Sequence, residues 1–216
     1  MAKIDQRRMV RVLLQRSGTT YAQEIGIRLQ NKPAPLFQLL FSALLLSARI
    51  PSGNAVQAAR ALIDAGLTTA EKMARASWQD RVDVITWHGY KRYDERTSTM
   101  LGDTSERLIA KYDGDLRKLR DEAQRNVKHE HRLLQQFSGI GAVGADIFLR
   151  EAQLAWNEVY PYADGRVIQA ARRLKLGSNP ETLSRLVPHK DFARFVAALI
   201  RTDLAKNYRE LFDAAA

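Results

Sequence analysis

Cysteine is absent from this 216-residue chain. That absence excludes disulfides, thiolate nucleophiles, zinc–thiolate centres and cysteine-ligated iron–sulfur clusters together. Long hydrophobic runs are also missing. The longest, Leu36 to Ala48, is interrupted by Gln38 and Ser42 and is too short to span a bilayer, so it reads as a buried helix. The first residues are charged and hold no apolar signal core. Runs of alternating polarity are scarce, which argues against strands, while apolar residues at helical spacing recur throughout and predict an all-α chain. The histidines are few, and the one close pair, His129 and His131, has a spacing that turns the rings apart on a helix, so no metal site is expected.

Positive charge, by contrast, is in excess. With 34 Lys and Arg against 24 Asp and Glu, the formal net charge is +10. Such a balance favours a polyanionic partner, because each neutralised phosphate releases counterions. Lys3, Arg7, Arg8, Arg11, Arg16, Arg28 and Lys32 crowd the first 35 residues against only Asp5 and Glu24, so this segment is expected along a nucleic-acid backbone; a solvated helix face is the alternative. Length allows one compact domain or two small lobes.

Local signals place the helices. Pro33-Ala34-Pro35 should open the Leu36 to Ala48 helix, since proline suits a helix's first turn. Asn54 is expected to cap a helix that Gly66 ends, and Thr68-Thr69-Ala70-Glu71 and Ser77 to Asp80 both have capping-box spacing. A helix from Trp78 should reach the Trp87-His88-Gly89-Tyr90 turn, and a longer one Tyr112, before an Asp113-Gly114-Asp115 turn. Further helices are expected over about 128–137, 142–154, 165–175, 180–186 and 190–211.

Two segments carry chemistry. In Phe137-Ser138-Gly139-Ile140-Gly141-Ala142-Val143-Gly144-Ala145, two glycines one residue apart join two helices. Both permit positive φ and a close backbone approach, and the helix from Ala142 aims N–H groups at an anion. An ordinary helix–helix turn is the other reading. Twenty residues after Gly144, in Tyr160-Pro161-Tyr162-Ala163-Asp164-Gly165-Arg166-Val167, Asp164 stands at the mouth of another helix, where it suits an N-cap as well as a catalytic carboxylate.

Over about residues 20 to 204, these landmarks and their order resemble the helix-hairpin-helix (HhH-GPD) DNA glycosylases of the endonuclease III superfamily. Pro35 to Leu40 and Leu45 to Arg49 match the early core helix and the loop whose polar residue fills the gap left by a flipped base, a position held here by Arg49. Trp87 to Lys91 resembles the turn offering a second wedge, with Tyr90 and Lys91 toward the duplex. Ser138, Gly139, Ile140, Gly141, Ala142, Val143 and Gly144 match the hairpin that holds the DNA backbone, and Asp164 matches the catalytic aspartate. Trp87, His88 and Tyr162 become pocket candidates, although core packing suits Trp87 equally, a half-buried anchor suits Tyr90, and a phosphate or acidic neighbour suits Arg49.

The resemblance implies an all-α, two-lobed endonuclease III-like fold, with residues 30–158 forming a central lobe and 1–29 plus 159–216 a second lobe carrying Asp164. DNA and the flipped base would meet between them. It further implies a monomer acting inside the cell, in the cytoplasm, on double-stranded DNA with a damaged or mispaired base. No cofactor is expected, apart from a monovalent cation at the hairpin carbonyls. Two departures matter. Val143 occupies the position of the lysine that attacks the sugar in bifunctional members, and the cysteines of the iron–sulfur cluster are missing. The expected activity is therefore monofunctional hydrolysis leaving an abasic site. A relocated lysine such as Lys91 or Lys175, giving lyase activity, and a non-catalytic DNA binder that kept the fold remain open readings.

Overall fold

The structure is a computed structural model that describes residues 5–87, 90 and 94–215, without the Trp87 side chain. Every regular element among these residues is helical. The chain divides into two compact units, one combining the chain up to Tyr21 with Val159 onward, the other spanning Ala22–Glu158. The first boundary falls earlier than residue 29. From Ala22 on, the backbone is tied to the larger unit, its N–H donating to the Glu151 carboxylate at 3.2 Å.

Helix α1 (Gln6–Ser17) begins at Asp5, whose carboxylate accepts the Arg7 N–H, and α2 (Tyr21–Ile25) follows. In the larger unit, α3 (Pro33–Ser47) starts on its two prolines and buries side chains all round, including Phe37 and Phe41 packed edge to face. Helix α4 (Ser52–Asp64) starts on Pro51, so Asn54 lies inside its first turn instead of capping it. Gly66, at φ +79°, ends it as expected. Helix α5 (Ala70–Arg75) is capped by Thr69, which accepts the Lys72 N–H, one residue later than the predicted box. Helix α6 (Trp78–Trp87) shows the full reciprocal box, with Ser77 and Asp80 exchanging two bonds of 3.0 Å.

After α7 (Asp94–Tyr112), the Asp113-Gly114 turn has positive φ at both residues, and Asp115 caps α8 (Leu116–Glu122), a helix the sequence pattern does not announce. Helices α9 (Val127–Leu134) and α10 (Ala142–Ala152) complete the unit. Helix α3 is its centre, contacted by α4, α8 and α10, which explains why it needs no polar face.

The smaller unit holds α11 (Gly165–Arg173), α12 (Pro180–Ser184), α13 (Phe192–Ala205) and α14 (Tyr208–Ala215). Lys206, left-handed at φ 55°, breaks what the sequence suggests is one helix over 190–211. Helix α1 packs on α13 and α14, and α11 packs on α13, around Met9, Leu13, Val167, Leu174, Phe195 and Leu199. Of the basic start of the chain, α1 is thus folded into this unit as one side of its core.

Candidate functional site

In the larger unit, the turn between α9 and α10 is tightly held. Thr104 Oγ1 on α7 donates to the Ser138 carbonyl at 2.9 Å, and Ser138 Oγ donates to Asp103 at 3.2 Å. Phe137 and Ile140 are buried, and the Ile140 N–H closes onto the Phe137 carbonyl at 3.1 Å. Gly139 is required twice over. Its φ is +78°, and an added Cβ would sit 2.8 Å from Met100 Sδ and 3.1 Å from Leu44 Cγ.

Gly141 does not use the positive φ that its residue type permits. Its φ of −87° and ψ of −171° are open to any residue, and nothing lies within 4 Å of an added Cβ. What Gly141 supplies is the absence of a capping side chain. As the N-cap of α10 it makes no side-chain hydrogen bond, and Ala142 and Val143 behind it are exposed. Backbone N–H groups at an uncapped helix start are donors for an anion, reinforced by the helix dipole. Gly144 is buried against Ile140 and Ser47, while Val143 is 58% exposed and offers no amine.

In the smaller unit, α11 begins in the opposite way. Asp164 Oδ1 accepts the Arg166 N–H at 2.8 Å and, more weakly, the Val167 N–H at 3.4 Å. The carboxylate is partly exposed and oriented by the backbone. Arg166 is held from behind, its guanidinium donating to Asp203 on α13 at 2.7 Å, and Arg173 and the Tyr208 hydroxyl reach the same carboxylate. Burial alone would raise the Asp203 carboxyl, but the hydrogen bonds from Arg166 and Tyr208 hold it below the usual carboxylate range. Tyr162 is partly buried two residues before Asp164.

Arg49 is exposed in the bend after α3 and enters no ion pair among the described residues. Tyr90 departs from its expected role toward the duplex. It is 1% exposed, and the Thr97 hydroxyl donates to its hydroxyl at 3.3 Å, so its ring is committed to packing. His88, Lys91 and the Trp87 side chain lie outside the described residues. His131 Nε2 meets Asp146 at 3.1 Å and ties α9 to α10; no group of potential metal ligands occurs among the described residues.

Sequence reasoning missed a second charged cluster, in the larger unit. Arg120 forms a two-pronged pair with Glu158, and Glu130 is fully buried beside them with no donor at either carboxyl oxygen, so that only its protonated form makes a hydrogen bond, donated to Glu158. Burial, with the Glu158 charge next to it, pushes the Glu130 carboxyl up to about 7. A lone glutamate between two histidines gives no sequence sign of burial.

No family model matches this chain, and no curated protein matches it. Solved structures do. A trapped covalent intermediate of endonuclease III with DNA, in an estranged-adenine complex, and a non-covalent endonuclease III–DNA complex each align over 94% of this chain and 86% of their own, with a TM-score of 0.50 and 16% identity. The hairpin between α9 and α10 and the helix start at Asp164 therefore belong to a chain with the all-α, endonuclease III-like helix-hairpin-helix fold.

Proposed function

We propose that the protein is a DNA glycosylase that hydrolyses the N-glycosidic bond of a flipped, damaged or mispaired base and leaves an abasic site. The observation that carries this reading is Asp164, a carboxylate oriented by backbone N–H groups at a helix start in a chain of endonuclease III-like fold. As the bond between C1′ and the base breaks, the carboxylate stabilises the positive charge on the sugar. It takes a proton from the water that attacks C1′, and the base departs with the bonding electrons.

DNA as the substrate is supported by the net charge of +10, by the uncapped start of α10, and by the DNA in both matching endonuclease III structures. Residues Ser138 to Gly144 hold a backbone phosphate without reading sequence. Arg49, exposed and in no ion pair among the described residues, fills the stack when the base leaves it. We take the protein to act as a monomer on double-stranded DNA within the cell, and no helix among the described residues is long and apolar enough to cross a membrane.

Hydrolysis is favoured over a lyase step because Val143 cannot form a Schiff base. Lys175 follows the far end of α11, a helix of nine residues and about 13 Å, which leaves it beyond lysine reach of Asp164.

A second reading rests on the same carboxylate. Two N–H bonds account for Asp164 as a cap, so a DNA binder without chemistry is the rival. Base release from a panel of single-lesion duplexes, with and without hot alkali, separates them when wild type is compared with Asp164→Asn. Asparagine caps as well as aspartate, so folding is held constant. The expected result is alkali-dependent strand breakage that falls by about 100-fold or more in the variant. Retained release by Asp164→Asn would sink the catalytic assignment. Absence of release from every lesion, with salt-sensitive binding intact, would establish the binder, and a borohydride-trapped adduct would establish a lyase.

A further inference from the structure

The smaller unit has a hollow of about 330 Å³ between α1 and the segment that precedes α13. Its walls are apolar, formed by Val10, Leu14, Leu186, Val187 and Pro188, and its rim carries Arg7, Arg11 and Arg194. The helical repeat explains the arrangement. Met9 and Leu13 turn into the core, Val10 and Leu14 form the adjoining stripe, and Arg7 and Arg11, one turn apart, lie alongside it.

The three arginines differ in how they are held. Arg194 is pre-ordered, donating from Nε to the Gly18 carbonyl at 2.8 Å and from its terminal nitrogen to Asp191 at 2.9 Å. The side chains of Arg7 and Arg11 are exposed and enter no ion pair among the described residues. The rim is therefore positive even after Asp191 is counted.

The phosphates of a nucleic-acid strand satisfy such a rim, but they leave an apolar floor set between the arginines without a matching group. A peptide with carboxylates flanking a bulky apolar residue satisfies both. The volume lies at the small end of ligand pockets, which begin at about 300 Å³, and so suits one or two side chains rather than a folded element. We infer that this hollow docks an acidic peptide segment of a partner protein, with an apolar side chain seated against Val10, Leu14 and Val187 and its Asp or Glu neighbours paired with Arg7 and Arg11. The inference is independent of the glycosylase reading, since it uses neither Asp164 nor the hairpin.

The test is fluorescence anisotropy of the full chain against an array of short synthetic acidic peptides, each carrying Leu, Phe, Trp or Met between Asp and Glu residues. Matched controls replace the apolar residue by Ser, and a short DNA duplex is titrated in parallel. At least one apolar member should bind saturably and about tenfold more tightly than its Ser control, with affinity falling as salt is raised. The Arg7→Ala/Arg11→Ala variant, whose changes are exposed, should lose about tenfold of that affinity with its melting curve unchanged. Leu186→Ser, which removes a wall residue that also packs against the core, should lose the preference over the Ser control when read below its own melting transition. Saturable binding to no peptide, equal binding of the Ser controls, or a double variant that weakens duplex DNA while leaving peptide affinity intact would each overturn the inference, the last in favour of a nucleic-acid contact.

Discussion

Helices α10 and α11 follow one another in the chain, yet they start with opposite chemistry. The start of α10, in the larger unit, has glycine at its N-cap and no side chain on its first N–H groups. The start of α11, in the smaller unit, has Asp164 with its carboxylate bound to two of them. An open helix start presents donors to a ligand that brings its own negative charge, and a closed one holds a negative charge of the protein's own. A DNA glycosylase needs both, a sequence-blind grip on phosphate and an oriented carboxylate for the sugar. The same economy recurs among the carboxylates of each unit. Asp203 in the smaller unit is paired with Arg166, Arg173 and Tyr208, whereas Glu130 in the larger one is buried with no cationic or N–H donor, facing the Glu158 carboxylate.

That second difference gives the largest expected effect on stability. Glu130 is pushed up to about 7 in the folded state from an ordinary 4.5. The folded chain therefore holds a proton that the unfolded chain releases, and the contribution is fully present below about pH 4.5 and lost as pH rises through about 7. Asp203, held low, acts with the opposite sign, its contribution being lost as the solution is acidified below the ordinary 3.8. The chain's three tryptophans, Trp78, Trp87 and Trp156, all lie in the larger unit, so their fluorescence follows its unfolding. Urea titrations read this way should show the larger unit weakening between pH 5 and pH 8 by up to about 3 kcal/mol. Glu130→Gln should flatten that slope; an unchanged slope would show that Glu130 is ionised in the fold.

Why one carboxylate was legible in the sequence and the others were not follows from range. Asp164 declares itself locally, by standing before Gly165 and an amphipathic run, as do the α3 prolines and the Ser77–Asp80 box. Asp203 is defined by Arg166 and Arg173, which come from another helix, and Glu130 by burial that no neighbour in sequence reports. Helix α8 was hidden because only Leu116 and Leu119 are buried on it amid charged residues. The break after α13 was hidden because lysine, not glycine, takes the left-handed position. At the candidate site, the turn between α9 and α10 was readable from its glycines. For Tyr90 the sequence left a wedge and a half-buried anchor both open, and the packing that decides for burial involves Thr97 on α7, which no local pattern reports.

Gly139 tests whether the hairpin is shaped by its turn or only by its sequence. Gly139→Ala forces an L side chain into positive φ and against Met100 and Leu44. It should cost about 1–3 kcal/mol in chemical denaturation, and it should weaken DNA binding, because the donors of α10 are positioned by this turn. Unaltered stability would mean that the turn relaxes, and unaltered DNA binding would mean that the proposed grip on phosphate does not depend on its geometry.

The smallest expected energy gives the sharpest contrast. Gly141→Asp would turn the start of α10 into a copy of the start of α11. The position accepts it, with φ at −87° and open space around an added Cβ. Aspartate in place of glycine at an N-cap stabilises by only a few tenths of a kcal/mol, so thermal unfolding should shift little, and upward. Binding to duplex DNA should nevertheless fall about tenfold, and the dependence of log affinity on log salt should become shallower by about one unit, because the new carboxylate takes the N–H groups and repels the phosphate. Gly141→Asn separates the two causes. It caps without charge, so it should show the loss that comes from occupying the donors alone. If both variants bind DNA as wild type does, the open end of α10 is not where the backbone is held, and the difference between the two helix starts has no bearing on DNA.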